Sequence, residues 1–327
     1  MRPTAARGTR RIITLTPNPA LDITLRVEGV RLGETHRVPT GANRAGGKGL
    51  NVARVAHQQG HSVLAIAPTG GATGQQFATE LAASGMPHRL VPVKAETRRT
   101  FALVDARADQ TTIFNESGSP LDPSEWEALS TEVEQSLNEG GPEAPGPAVL
   151  VVSGSLPPES PPDFYTRVIE LAHSRGVPVV IDTSGPGLLR AAQAGADLLK
   201  PNREEIQEAT GIPDPVLASL ELLRLGAQRV LTTSGAEGML AFEAGMGSRY
   251  WTARLPQPLR GNPTGAGDAA VAAAAVQLAS GTGSMQAIVR GAASWSAAAV
   301  LMPLAGQISP LHQRLEHQLI IAEKEVG

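Results

Sequence analysis

Short apolar runs alternate with helix-length segments through the first two thirds of this chain, and this alternation restricts the fold more than any other feature of the sequence. Strands that are separated by helices must pair in parallel, through right-handed crossovers. The sequence therefore predicts an α/β fold with a central, mostly parallel sheet flanked by helices. The predicted strands are 11–16, 62–67, 88–93, 148–152, 177–181 and 197–200, and the predicted helices are 73–84, 122–138, 161–175, 187–194 and 203–210.

Two segments interrupt this alternation, and each holds two short runs of alternating polar and apolar residues around a polar turn. Such pairs are typical of hairpins rather than of βα units. We expect these lid strands to form a small sheet over a single domain that covers residues 11–327. The lid strands are predicted from about 23–40 and 99–115, with the alternating runs at 23–28, 35–40, 100–105 and 111–115.

Composition argues against several classes of function. A formal net charge of -3 argues against a nucleic-acid surface, and the absence of cysteine excludes disulfides, thiolate catalysis and cysteine-ligated metals. No apolar run is long enough to span a membrane. Residues 1–10 are basic without an apolar signal core after them, so we expect a disordered basic tail. A cysteine-free chain suits a reducing compartment, and we expect a cytoplasmic protein without nucleic-acid or membrane partners.

A glycine-rich turn at 261–268 leads into a run of alanine and valine, which predicts a helix that starts near Gly265. Gly265 and Gly267 leave backbone N–H groups uncovered at the start of this helix. Such groups, together with the positive end of the helix dipole, form an anion site. Asp268 is then either a helix cap or a base that accepts a hydroxyl proton beside the anion.

A second glycine-rich stretch, from Gly46 to Asn51, also leads into a helix with a broad apolar face. Gly46 and Gly47 let a ligand approach the backbone, Lys48 adds a point charge, and Asn51 adds an amide. The GxxxxGK[ST] spacing of a Walker A loop is absent. The alternative is a flexible loop with a solvated lysine.

Polar residues recur just past the predicted strand ends. Each set could be an ordinary connection with a helix cap, but several sets at one edge of a parallel sheet describe a binding crevice. The sets are Asn18 with Asp22, 153–158, 182–185, 200–205 and 233–238.

Asn202 and Glu205 lie three residues apart, so both project from one face at the start of a helix. An amide and a carboxylate there suit Mg²⁺ that keeps much of its water. The same spacing forms a capping box, in which the two side chains only satisfy N–H groups. After Asp268 we expect two or three further helices, including 284–301 and 307–323.

Taken together and in order, these motifs resemble those of the PfkB (ribokinase-like) carbohydrate kinases, in particular the 1-phosphofructokinase and tagatose-6-phosphate kinase branch. The resemblance implies a ribokinase-like fold whose small β-lid often serves as a dimer clasp, and hence a homodimer through the lid. It also implies transfer of the γ-phosphoryl group of ATP to a sugar-phosphate hydroxyl, with Mg²⁺ at the ATP phosphates. It runs from about Ile12 to about Leu301 and rests on 16–22, 46–54, 153–157, 200–205, 235–238 and 265–268.

The resemblance assigns a role to individual residues. Asp268 matches the general base, for which an ordinary Asp pKa is expected to suffice. The N–H groups of Gly265, Ala266 and Gly267 match the anion hole. The substrate-binding candidates are Asp22, Asn18, Gly46, Gly47, Lys48, Asn51, Arg98 and Ser153, the nucleotide candidates are Lys200, Asn202, Thr233, Gly235 and Gly238, and the candidates for Mg²⁺, through water, are Asn202 and Glu205.

Lys48 and Arg98 are the candidates for the phosphate that the substrate already carries, with Arg99 as a substitute for Arg98. The minor 6-phosphofructokinases of the family tend to carry glycine in place of Lys48, so this lysine favours fructose 1-phosphate or tagatose 6-phosphate, and fructose 1-phosphate is the leading choice. Fructose 6-phosphate and tagatose 6-phosphate are the alternatives. A non-catalytic sugar-phosphate sensor is a more remote alternative, because a sensor needs no base such as Asp268.

Overall fold

The computed structural model describes residues 11–108, 110–139, 147–281 and 283–326. The expected basic tail at 1–10 lies outside the described residues, and its disorder stays a prediction. Within these ranges, none of the helices combines the length and the apolar character that crossing a bilayer requires. The expected cytoplasmic location stays a prediction from composition.

Strands and helices alternate as predicted through the first two thirds of the chain. In chain order the strands are β1 (Arg11–Leu15), β2 (Ala20–Val27), β3 (Ala42–Gly46), β4 (Val63–Thr69), β5 (His88–Pro92), β6 (Arg98–Asp105), β7 (Gln110–Asn115), β8 (Pro147–Ser153), β9 (Val179–Asp182), β10 (Leu198–Leu199), β11 (Arg229–Thr233), β12 (Met239–Glu243), β13 (Arg249–Arg254) and β14 (Ile320–Glu325). The helices are α1 (Lys48–Gln58), α2 (Gly71–Ala83), α3 (Pro123–Leu137), α4 (Phe164–His173), α5 (Pro186–Gln193), α6 (Arg203–Thr210), α7 (Pro215–Leu225), α8 (Ala266–Ala279), α9 (Met285–Val300) and α10 (His312–Gln318).

The main sheet has the strand order β14-β13-β12-β11-β10-β9-β8-β1-β4-β5. The seven strands from β5 to β11 in this order pair in parallel, and β12, β13 and β14 extend the sheet in antiparallel fashion. Helices α1, α2, α8 and α9 cover one face, and α3 to α7 cover the other. Ile12 packs into the first layer and Ile13 into the second. Because both faces are covered, the parallel strands are near-continuous apolar runs. The predicted sheet flanked by helices is confirmed.

The lid is a separate sheet in the order β3-β2-β6-β7. It joins the two predicted segments through parallel pairing of β2 with β6. β6 and β7 form a hairpin, and β2 and β3 pair antiparallel across a longer connection. The strand predicted at 35–40 is wrong, since β2 pairs instead with β3, a stretch for which the sequence predicted no strand. β3 has no β-branched residue, and long-range contacts hold it, including a hydrogen bond from the Ala45 N–H to the carboxylate of Glu80 (2.7 Å).

The helix predicted at 307–323 is also wrong. Its middle forms the short helix α10, but Ile320 to Glu325 form β14, which pairs antiparallel with β13. Tertiary pairing overrides the local helical pattern here. The sequence analysis also missed α7, β12 and β13.

Helix α8 is composed almost entirely of small residues and is buried from Asp268 to Ala275. It lies between α1, α9 and the main sheet. An alanine side chain ends at Cβ, so neighbouring helices can approach α8 closely. This packing fixes the start of α8 at the edge of the sheet where the parallel strands end.

Candidate active site

One large cavity, of about 1120 Å³, lies between the carboxyl ends of the parallel strands, the first turns of α1, α6 and α8, and the lid. Most of the predicted site residues line it. Two do not: Ser153 lies behind the wall, and Gly46 is covered by Asp22. The predicted residues that line the cavity are Asn18, Asp22, Gly47, Lys48, Asn51, Arg98, Lys200, Asn202, Glu205, Thr233, Gly235, Gly238, Gly265, Ala266, Gly267 and Asp268.

Asp268 lies in the first turn of α8, and its carboxylate is buried. Its Oδ2 accepts a hydrogen bond from Nδ2 of Asn51, on α1, at 2.8 Å. The residue at the cap position of α8 is Gly265, so Asp268 does not act as the helix cap. Burial, and the neighbouring carboxylate of Asp182, raise the pKa of Asp268 to about 6, against the opposing effects of Lys48, Asn51 and Lys200. The pKa of Asp268 thus lies above the ordinary value that the sequence analysis took to be sufficient for a base.

The glycine turn before Asp268 is closely packed, and at Gly265 the packing excludes a side chain. Gly265 has φ 83°, and a Cβ on it would lie 2.8 Å from Cα and Cβ of Ala305. A Cβ on Gly267 would approach Nζ of Lys200 to 3.4 Å. The N–H of Ala266 donates to the carbonyl of Pro263 (3.1 Å), whereas those of Gly265 and Gly267 have no partner among the described residues. These two N–H groups are the ones able to bind an anion.

A buried charged cluster lies beside this turn. Asp182, at the end of β9, is 3.3 Å from Nζ of Lys200 and 3.7 Å from Nζ of Lys48, and Ser153 donates a hydrogen bond to it at 2.9 Å. Burial alone would raise the pKa of Asp182, but the two ammonium groups and Ser153 hold it below its ordinary value. The sequence marked Asp182 only as one of the polar residues past a strand end. Its place at a strand end was the signal that could have identified it as a site residue.

Lys48 points into this cluster rather than toward the lid. Its Nζ is 3.5 Å from Oε1 of Glu205. The pKa of Lys48 is raised, chiefly by the negative charge of Asp182, although burial opposes the shift. The sequence analysis placed Lys48 at the phosphate that the substrate carries. Its ammonium group lies near the carboxylates of Asp182 and Glu205, which attract it, and the assignment of Lys48 to the substrate phosphate stays a prediction.

Asn202 and Glu205 form the capping box that the sequence left open. The Glu205 N–H donates to Oδ1 of Asn202 (2.7 Å), and the Asn202 N–H donates to Oε2 of Glu205 (2.8 Å). The second oxygen of Glu205, Oε1, remains directed toward Lys48. The cap therefore occupies one carboxylate oxygen and leaves the other facing the cavity.

The lid supplies a second group of polar side chains at the far end of the cavity. Asp22 on β2 lies directly opposite Arg44 on β3 and Thr100 on β6 in the lid sheet. Burial raises the pKa of Asp22 to about 6, although the charge of Arg98 opposes the shift. Arg98 lines the cavity, whereas Arg99 pairs with Glu96, as expected from alternation along a strand.

Backbone contacts fix the guanidinium of Arg98. Its Nε donates to the carbonyl of Asn18 (3.2 Å) and its Nη1 to that of Glu116 (3.1 Å). The Asn18 amide in turn donates to the carbonyl of Ser117 (3.0 Å) and to the hydroxyl of Ser155 (3.3 Å). Sequence reasoning missed Ser155 as a cavity residue, although it lies in a stretch that had been marked past a strand end.

The loop after β11 forms the opposite wall of the cavity. The cavity is lined there by Thr233, the last residue of β11, and by Gly235 and Gly238 of the loop. The N–H of Ser234 donates to the carbonyl of Gly238 at 2.8 Å, which closes a tight turn. Gly238 has φ 98°, and a Cβ there would lie 2.2 Å from the carbonyl oxygen of Ala253. Only glycine fits at this position.

Comparison with known proteins agrees with this arrangement. Residues 16–311 match the model of the pfkB family of carbohydrate kinases. The chain is 36% identical over 302 residues to the ATP-dependent 6-phosphofructokinase isozyme 2 of Mycobacterium tuberculosis, covering 90% of this chain and 86% of that protein.

Two solved structures share the fold. Phosphofructokinase-2 from Escherichia coli, in complex with fructose-6-phosphate, superposes with a TM-score of 0.82 at 29% identity, over 94% of this chain and 98% of that one. Arabidopsis thaliana ribokinase, complexed with ribose and ATP, superposes with a TM-score of 0.71 at 21% identity, over 95% and 98% of the two chains. The fold is therefore ribokinase-like, as the sequence predicted.

The raised pKa of Asp268 predicts how stability depends on pH. Between pH values of about 4 and 6, the unfolded carboxylate is ionised while the folded one still holds its proton, so the free energy of unfolding falls as pH rises. Asp268→Asn removes this cost. We expect the variant to be about 1–3 kcal/mol more stable than the wild type at pH 7–8, and the difference to vanish near pH 4.

Urea unfolding at several pH values measures this difference, with Glu170→Gln at an exposed position on α4 as the control. The control should unfold like the wild type throughout. An Asp268→Asn variant that is less stable than the wild type at every pH would contradict the prediction.

Proposed function

Because this chain belongs to the pfkB family of carbohydrate kinases, we propose that it transfers the γ-phosphoryl group of ATP to a hydroxyl group of a ketohexose phosphate. One observation carries the proposal: the Asp268 carboxylate, held by Asn51, lies beside the uncovered N–H groups of Gly265 and Gly267 and faces the same cavity as Arg98 on the lid. A base, an anion site and a phosphate-binding cation are the parts that phosphoryl transfer to a phosphorylated sugar needs.

In the proposed reaction, the acceptor oxygen forms a bond to the γ-phosphorus while the bond from that phosphorus to the β–γ bridging oxygen breaks, and ADP leaves. Asp268 takes the proton of the hydroxyl group. A pKa of about 6 makes Asp268 a stronger proton acceptor than an ordinary aspartate while leaving it ionised at pH 7. The N–H groups of Gly265 and Gly267 stabilise the negative charge on the transferring group.

The two lysines of the charged cluster complete this side of the proposed site. Lys200 is nearly fully buried and lies close to Gly267, so its ammonium group would face phosphates bound at the glycine turn. Lys48 lies between Glu205 and Asp182. We assign both lysines to the ATP phosphates and the transferring group, and Thr233, Gly235 and Gly238 to the nucleotide.

The residues present fit Mg²⁺ held largely through water. Asp182 is buried and lines the cavity, with its Oδ1 3.3 Å from Nζ of Lys200 and 3.7 Å from Nζ of Lys48, and Oε1 of Glu205 faces the cavity. No group of three or more His, Cys, Asp or Glu side chains that could hold a metal occurs among the described residues, so water and phosphate oxygens would supply most ligands. When bound, Mg²⁺ neutralises charge on the β- and γ-phosphate oxygens. Glu205 and Asp182 would hold it, and Asn202 would keep Glu205 in place through the capping box.

The sugar end of the proposed site lies under the lid. Asp22 would accept hydrogen bonds from sugar hydroxyls, and Gly46 must be glycine because a Cβ there would meet the Asp22 carboxylate at 1.9 Å. Arg98, Asn18 and Ser155 would bind the phosphate that the sugar carries. Nε and Nη1 of Arg98 bind backbone carbonyls, which leaves Nη2 able to bind a phosphate oxygen. The planar guanidinium group matches the geometry of phosphate oxygens.

We propose fructose 6-phosphate as the acceptor and fructose 1-phosphate as the second candidate. The relative that is 36% identical is named a 6-phosphofructokinase. The sequence preference for fructose 1-phosphate rested on Lys48, whose ammonium group lies with Asp182 and Glu205 rather than with Arg98. The 46–49 glycine stretch with its lysine still resembles the 1-phosphofructokinase branch, which keeps the second candidate open.

An ADP-release assay with Mg-ATP tests the proposal. The acceptors are fructose 6-phosphate, fructose 1-phosphate, tagatose 6-phosphate, fructose and adenosine. We expect the highest kcat/KM on fructose 6-phosphate, and we expect Asp268→Asn to lower kcat by a factor of about 10³ or more with the sugar KM little changed, because the shape remains and the proton acceptor is lost.

Three other outcomes have clear meanings. A preference for fructose 1-phosphate would establish the second candidate. Turnover close to the wild type in Asp268→Asn would contradict the base assignment. A folded protein that is silent on all five acceptors would favour the non-catalytic sensor.

Matched substitutions at Lys48 and Arg98 separate the two ends of the site. Lys48→Met should lower kcat about 10²–10³-fold while the sugar-phosphate KM changes less than about threefold, because Lys48 acts on the transferring group. Arg98→Met should raise the sugar-phosphate KM more than about tenfold, with a smaller effect on kcat. Steady-state kinetics with each substrate varied measures both. If Lys48→Met mainly raises the sugar-phosphate KM, Lys48 binds the phosphate that the substrate carries, as the sequence predicted.

We also propose that the protein is a homodimer that assembles through the lid. β7 is an edge strand, and all of its residues are exposed, including Phe114 at 58% exposure. Ile113 lines the cavity, so the alternation along the strand directs Phe114 to the outer surface. An exposed apolar edge strand is a surface that a second chain can cover.

Phe114→Glu should convert the dimer to a monomer in sedimentation velocity, because a charge would be buried in the contact. Leu217→Glu, at a similarly exposed leucine on α7, serves as the control and should stay dimeric. A wild-type protein that sediments as a monomer at micromolar concentration would contradict the lid dimer.

A further inference from the structure

Arg44 makes a contact between the lid and the distant end of the chain. It lies on β3, directly opposite Asp22 on β2, and it does not line the cavity. Its Nη1 donates a hydrogen bond of 2.6 Å to the carbonyl oxygen of Ala305. The loop 301–306, which follows α9, is thus bonded to the lid through a side chain more than 250 positions earlier in the chain.

The backbone at Ala305 and Gly306 also touches the groups that carry the proposed chemistry. Ala305 packs on Gly265, where a Cβ would come within 2.8 Å of it. A Cβ on Gly306 would lie 2.9 Å from Oδ1 of Asn51, the residue that bonds Asp268. The loop is further held by the Asn262 amide, which donates to the carbonyl of Pro303 at 3.1 Å. Ala305 alone therefore lies between Arg44 and the anion turn, and Ala305 together with Gly306 lies between Arg44 and Asn51.

The surroundings of Arg44 make this bond hard to replace with water. Burial lowers the pKa of Arg44, as does the nearby cation Arg54, while Glu80 and Asp22 oppose this. Glu80 is already engaged by Arg54 at 2.9 Å and by the Ala45 N–H. With Glu80 occupied and Asp22 facing the cavity, the Ala305 carbonyl is the acceptor that the Arg44 guanidinium reaches on this side. A partly buried guanidinium that loses its acceptor is costly.

We propose that Arg44 is a positioning residue that couples occupancy of the sugar end to assembly of the anion turn. A sugar phosphate bound against Asp22 fixes β2 and β3, and hence Arg44; Arg44 then holds Ala305 against Gly265 and Gly306 against Asn51. Binding at one end thereby favours binding of ATP phosphates at the other. This inference rests on the proposed function, because it takes the two ligands to be a sugar phosphate and a nucleotide.

The test measures coupling between the two ligands rather than activity. The dissociation constant of the Mg²⁺ complex of a non-hydrolysable ATP analogue is determined by titration calorimetry, with and without saturating fructose 6-phosphate. In the wild type, the sugar phosphate should tighten nucleotide binding about tenfold or more. In Arg44→Met, the coupling factor should fall to about one to two, and any loss of nucleotide affinity should be larger with the sugar phosphate than without it.

Two further variants give the comparison its controls. Arg26→Met changes an exposed arginine on β2 of the same lid and should keep full coupling. Arg44→Lys retains one charged donor and should restore part of the coupling. Full coupling in Arg44→Met, or an equal loss of nucleotide affinity with and without sugar, would overturn the inference, as would a wild type with no coupling.

Failure of the proposed function is a separate result. It would appear as a wild-type protein that phosphorylates none of the five acceptors. In that case hydrogen exchange of the free protein still tests the contact, since Arg44→Met should increase exchange in both 300–309 and 262–268 while Arg26→Met should not. Unchanged exchange in these two segments would overturn the inference without reference to any substrate.

Discussion

The hydrogen bond from Asn51 to Asp268 is the interaction on which the site depends. It joins the first turn of α1 to the first turn of α8 at 2.8 Å, in a buried position. Both helices begin at the edge where the parallel strands end, so a single bond sets the distance between the two glycine-rich turns. It also opposes the burial that raises the pKa of Asp268. Without it, the carboxylate would be harder to ionise and free to turn away from the cavity.

Much of this arrangement could be predicted from the sequence, because its signals are local. The parallel strands are apolar runs of the right length, and the polar residues that follow them must meet at one edge of the sheet. Gly265 and Gly267 mark the start of α8 through backbone geometry alone. The strands β3 and β14 could not be predicted in this way, because neighbours far along the chain decide their pairing.

The chemistry of individual side chains was less predictable than their location. The direction of Lys48 depends on carboxylates that come from β9 and α6, which the sequence does not show to be adjacent. The pKa of Asp268 depends on how deeply the folded chain buries its carboxylate and on the charge of Asp182. Asp182 itself is buried by the fold, so its importance emerges only when Lys48 and Lys200 are seen on either side of it. Electrostatic properties of this kind belong to the assembled structure.

The alanine composition of α8 has a consequence for how a site of this kind can diversify. The interior positions from Ala269 to Ala275 leave no room for a larger side chain, so substitutions there disturb the packing of α1 and α9 before they alter any ligand contact. The lid has looser constraints, since most of its side chains are partly or fully exposed. Substitutions in the lid can therefore alter the sugar end of the proposed site with little effect on the core, while α8, which positions Asp268, leaves little freedom for change.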